Sequence, residues 1–145
     1  MSYQMWINYG YGICVDDIKE CSVERLEKLL ALAPELQTRM QDWLAKNNVT
    51  TPCWEDYMSY DRDYYLGLAV ILQEAIQEIE GIELTACDDF DSADYLIYQP
   101  MYPWNLSDRD RGLTEESLRE MFNRYVAVLT DEPVPVDHQS VENGG

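Results

Sequence analysis

The sequence predicts an α+β fold: a small, mostly antiparallel sheet of three strands covered by about four helices. Three observations lead there. Apolar residues recur at spacings of three and four in several separate segments, the mark of helices with one buried face. Two short β-type runs flank an acidic turn, as in a hairpin. The order of elements leaves no room for a two-faced parallel sheet, which needs a crossover between each pair of strands.

Residues 3–15 are rich in aromatic and β-branched types and read as a strand, bent or bulged at Gly10 and Gly12. Ser22 caps a helix to about Leu32, with Leu26, Leu29, Leu30 and Ala33 on one face. Pro34 opens a second helix as its first residue, with Leu36, Met40, Trp43 and Leu44 as the buried stripe and Asn47-Asn48 as its end. Residues 49–60 read as irregular around Pro52. The strongest periodicity follows. Tyr65, Leu68, Ala69, Leu72, Ala75, Ile76 and Ile79 predict a helix from about Asp61 to Glu80, ended by Gly81. The hairpin spans 82–87 and 94–99. Pro100, Pro103 and Gly112 punctuate an irregular connection, and Thr114 caps a last helix carrying Leu118, Met121, Phe122, Tyr125 and Leu129. The expected organisation is a single domain over 1–132 and an extended tail over 133–145.

The chain has 145 residues, of which 46% are apolar, including eleven Tyr and four Trp. That is enough apolar material for one core and argues against disorder. The N-terminal residues lack the basic start and apolar core of a secretion signal, and no apolar run reaches the ~18 residues that span a bilayer. A soluble cytoplasmic protein is the expectation. Cys14, Cys21, Cys53 and Cys87 then read as reduced core or half-buried thiols.

The charge is uneven. Of 28 acidic and 10 basic residues, thirteen acids but only one base, Arg62, fall within 55–108, a net charge of −12. Residues 1–54 carry −2 and residues 109–145 carry −4. Glu74 and Glu78 stand one turn apart on the predicted long helix, and like charges at that spacing weaken a helix by a few tenths of a kcal/mol. Glu80 lies at the helix end that favours cations. Asp88, Asp89, Asp91 and Asp94 crowd the hairpin turn. Between Trp54 and Tyr65, Glu55, Asp56, Asp61 and Asp63 alternate with aromatic rings, a mixture suited to arginine. A solvated face kept for solubility accounts for such runs equally well. For Asp61 and Asp63, service at a helix N-terminus is the simpler reading.

These ten carboxylates, Glu55, Asp56, Asp61, Asp63, Glu74, Glu78, Asp88, Asp89, Asp91 and Asp94, are the candidate partner-binding residues. Direct contact with nucleic acid or anionic membrane is not expected from a chain of net charge −18. No catalytic residue, cofactor or metal ligand is expected either. The single histidine, His138, falls in the predicted tail, and the cysteines lack zinc-site spacing. The loop at 88–94 lacks the central glycine and final glutamate of a calcium loop.

Tyr102-Pro103-Trp104, Leu129-Thr130-Asp131-Glu132-Pro133 and Gln139-Ser140-Val141-Glu142-Asn143-Gly144-Gly145 resemble a group of short uncharacterised proteins of bacterial mobile elements and prophages. This resemblance covers about the last third of the chain and implies no activity. In size and acidity the whole chain is similar in type to phage-encoded inhibitors of host defence, the anti-CRISPR proteins among them, which commonly set carboxylates where phosphates would lie. The resemblance implies an acidic inhibitor, not an enzyme, that mimics nucleic-acid phosphates and occupies a basic groove. The leading target is then a CRISPR effector nuclease. Two alternatives stand beside it. One is an acidic structural or adaptor protein, self-associating as a homodimer through Trp6, Tyr9, Tyr11, Tyr102 and Trp104. The other is a small carboxylate-dependent hydrolase.

Overall fold

The computed structural model describes residues 5–19, 21–60, 67–89, 93–99 and 112–144. Strand β1 (Met5–Cys14) runs into a single 3-10 turn at Val15–Asp17. Helices α1 (Val23–Ala31), α2 (Pro34–Lys46), α3 (Trp54–Met58) and α4 (Leu68–Glu80) follow. Then come β2 (Thr85–Asp88), β3 (Asp94–Tyr98), α5 (Glu115–Leu129) and β4 (Asp137–Gly144). The strands form one sheet in the order β2-β3-β1-β4, every neighbour antiparallel. The fold is α+β, as expected. Its sheet has a fourth strand, because the segment read as a tail is extended but pairs along β1 from Met5↔Gly144 to Gly12↔Asp137. A five-residue helix, α3, stands where an irregular stretch was expected. The helix expected from Asp61 is described from Leu68 onward, and residues 61–66 lie outside the described residues.

The helix starts follow from local chemistry. Ser22 Oγ accepts the N–H of Arg25 at 3.3 Å. Thr114 and Ser117 cap each other reciprocally at the start of α5. Both arrangements satisfy N–H groups that a helix cannot pair internally. On α1, Leu26, Leu29, Leu30 and the following Ala33 are buried, as their spacing requires. Each fully buried leucine contributes ~1.5–3 kcal/mol. Helix α4 is different. Leu68, Ala69, Val70, Ile71 and Leu72 are buried in succession, so its apolar surface is wider than one stripe and neighbours cover it on more than one side. It ends at Gly81, whose φ of 70° puts it in the left-handed region that closes a helix.

Alternation along β1 sends Tyr11 and Ile13 into the helix-covered core with Leu96 and Tyr98 of β3, and Val15, the first residue of the 3-10 turn, joins them. The other face holds Gly10, Gly12 and Ile97, which faces Gly12 across the strands. A Cβ at Gly12 would sit 2.1 Å from the carbonyl oxygen of Leu96, so only glycine fits there. The sheet coils strongly enough that its two edge strands, β2 and β4, approach within 8 Å at Cα. Ile97 and Val141, both on this second face, are fully buried. His138 belongs to β4, where its ring meets Tyr11 edge-on with centroids 5.1 Å apart. Tyr11 is 5% exposed. It is a core residue and not part of an aromatic interface.

Candidate functional site

The acidic middle of the chain folds into two different settings. The first is α4. Its Glu74 faces Arg39 of α2, with Oε1 3.7 Å from the guanidinium. Glu78 reaches the start of α2, where Oε2 accepts the N–H of Glu35 at 3.1 Å and Oε1 that of Leu36 at 2.8 Å. The residue before α2 is Ala33, which has no side-chain cap to offer, so Glu78 supplies one from another helix. A carboxylate there also meets the positive end of the α2 dipole. Glu80 pairs with Arg124 of α5 and accepts the hydroxyl of Tyr125 at 2.8 Å. Burial first, then Glu80, pushes the Tyr125 phenol up to about 12, so it stays a donor. The α4 carboxylates therefore tie α4 to its neighbouring helices.

The second setting is the turn end of the hairpin. Asp88 and Asp94 are directly opposed in the β2–β3 ladder. Like charges in that position weaken a sheet. Asp16, just beyond β1, joins them by accepting the N–H of Asp94 at 3.3 Å. Asp89 folds back over the turn, accepting the N–H of Ala93 at 3.0 Å and the hydroxyl of Tyr95 at 3.2 Å. Asp94 carries the consequence. Burial raises its pKa to about 6, with Asp16, Asp88 and Asp89 adding to the rise. Behind this rim, Tyr95 lies between Cys14 and Cys87 across three strands. Burial, then Asp88, pushes the Cys87 thiol up to about 11, and burial raises that of Cys14. Both stay protonated and weakly nucleophilic at neutral pH. All four thiols are free; Cys14, Cys21 and Cys87 are half-buried as expected, but Cys53 is exposed.

Of the other candidates, Glu55 is exposed on α3. Asp56 closes the capping box of that helix by accepting the N–H of Cys53 at 2.8 Å. Asp61, Asp63 and Asp91 lie outside the described residues. The structure thus brings Asp88, Asp89 and Asp94 together, and it places Glu74 and Glu78 against α2. Sequence reading missed Asp16, which reaches the hairpin only because β1 and β3 pair in the register Cys14↔Tyr95. Its one legible signal was its place at the end of a predicted strand.

Among the described residues, no group of three or more His, Cys, Asp and Glu is arranged to hold a metal ion. No described helix is long and apolar enough to cross a membrane. Fold and site together define an acidic α+β protein with a crowded carboxylate rim at one end of a coiled sheet. No known protein family, curated protein or solved structure matches the chain.

Proposed function

We propose that this protein is an acidic inhibitor that occupies a basic, nucleic-acid-binding groove of a partner enzyme. The observation that carries the reading is the hairpin end, where Asp16, Asp88, Asp89 and Asp94 act on one another at close quarters. Such crowding of like charges costs fold stability, even though Asp16 and Asp89 also accept hydrogen bonds that hold the turn. A partner that presents lysine and arginine would relieve the repulsion, as the same cations do for the phosphates of the nucleic acid they bind. The contact is narrower than charge density alone implied, since Glu74 and Glu78 are engaged with α2. A CRISPR effector nuclease is the target favoured by the likeness in size and acidity to phage-encoded inhibitors.

The test is competition. Labelled target DNA bound to each of a panel of guide-loaded CRISPR effectors is titrated with this protein at low and high salt, and anisotropy is read. The proposal expects release of DNA from at least one effector, weaker at high salt. It also expects at least tenfold weaker competition by the variant carrying Asp88→Lys, Asp89→Lys and Asp94→Lys. DNA that stays bound throughout the panel, or a triple variant that competes as well as the parent, overturns it.

A further inference from the structure

A second feature lies away from the hairpin. Helices α1, α2 and α3 enclose a groove of about 260 Å³. Its floor is apolar, formed by the buried Leu30, Met40 and Leu44. Its rim is polar, formed by Glu27 of α1 and Gln37 and Gln41 of α2, while Tyr57 of α3, only 5% exposed, lines it from within. Gln37 and Gln41 are one turn apart and so share a helix face. The Tyr57 hydroxyl donates to Glu27 Oε1 at 3.2 Å. Burial, then Glu27, pushes this phenol up to about 12, so it remains a neutral donor that steadies the carboxylate.

Charge sets what the groove selects. Arg25 pairs with Asp131, Lys28 with Glu24 and Arg39 with Glu74. Among the described residues, no cation pairs with Glu27. The rim therefore offers a carboxylate and two amide carbonyls above a floor that favours methylene groups. The volume lies below the ~300–1,000 Å³ of pockets that bury a drug-sized ligand, so one side chain is the right scale. Lysine offers three donors on a compact, strongly hydrated head. Arginine offers five donors in a planar, weakly hydrated fork, which matches a carboxylate flanked by two amide carbonyls.

We propose that this groove receives a single arginine side chain of the partner, its stem over Leu30, Met40 and Leu44 and its guanidinium on Glu27, Gln37 and Gln41. This rests on the reading of the partner as basic. The experiment is an NMR titration of the full chain with N-acetyl-arginine amide, beside the lysine and norleucine amides. The Gln37 and Gln41 side-chain amides and the Met40 methyl are followed. Saturable shifts with a roughly millimolar dissociation constant are expected for the arginine compound. Binding should be at least threefold weaker for lysine and for Glu27→Gln, and undetected for norleucine. Equal binding of norleucine, no effect of Glu27→Gln, or shifts confined to the hairpin would overturn the groove proposal. Those results leave the DNA competition reading standing. Groove binding with no competition for DNA would instead sink only the inhibitor reading.

Discussion

The carboxylates of α4 and those of the hairpin end come from the same lysine-poor stretch of sequence, yet they do opposite things. On α4, Glu74 meets an arginine, Glu78 caps the α2 N-terminus, and Glu80 meets both an arginine and a buried tyrosine. Glu78 and Glu80 gain hydrogen-bond donors from distant parts of the chain, and Glu74 gains an ion-pair partner, although its buried Oε2 has no hydrogen-bond donor among the described residues. At the hairpin, Asp88 and Asp94 are set against each other and Asp16 is added to them. The lesson is that net charge per segment does not report available charge. Tertiary contacts pair some acids with cations and donors of other helices, and gather others, themselves hydrogen-bonded within the turn, against like charges.

Variants can break this contrast, and the largest stability effect is expected at Glu80. Glu80→Ala removes the acceptor of the buried Tyr125 hydroxyl and the partner of Arg124. It should cost ~2–3 kcal/mol in urea unfolding, with Glu80→Gln losing less. Glu78→Ala, which uncaps α2, should cost ~1–2 kcal/mol by the same measurement. Neither change should weaken competition with DNA beyond the fraction unfolded. A large specific loss would place α4 in the interface and collapse the distinction between the two regions.

The smallest effect has the opposite sign. The folded-state pKa of Asp94 lies above its ordinary 3.8, so the folded protein binds this proton more tightly than the unfolded chain does. Its contribution to stability is therefore fully present below pH ~4 and is lost as pH rises through about 6. Asp94→Asn should raise Tm by roughly 2–4 °C at pH 7.5, allowing for solvent screening, and leave it unchanged near pH 4. The same substitution should weaken partner binding. Stabilisation without any loss of binding would mark the rim as a tolerated defect and not a contact surface.

Much of the fold was legible in the sequence because its signals are local. The caps at Ser22 and Thr114, Pro34 at a helix start, Gly81 at a helix end and the leucines of α1 all lie where short-range rules put them. The fourth strand was not legible. Asp137–Gly144 has one fully buried apolar side chain, Val141, and is otherwise polar, so it lacks the alternation that announces a strand. Its pairing with β1 is a tertiary event. The candidate site was half legible for the same reason. Asp88, Asp89 and Asp94 are neighbours in sequence, and their clustering could be read. Glu78 as a cap for α2, and Asp16 as a hairpin residue, depend on contacts spanning 42 and 78 residues.

The measurement closest to the heart of this account is a carboxyl-carbon NMR titration of Asp94 in the intact protein. The midpoint should fall at about pH 6 and move toward the ordinary aspartate value when Asp16→Asn and Asp88→Asn are introduced together. A midpoint already near 4 in the parent chain, or one that ignores both neutralised neighbours, would contradict the claim that these side chains are held against one another at the hairpin end.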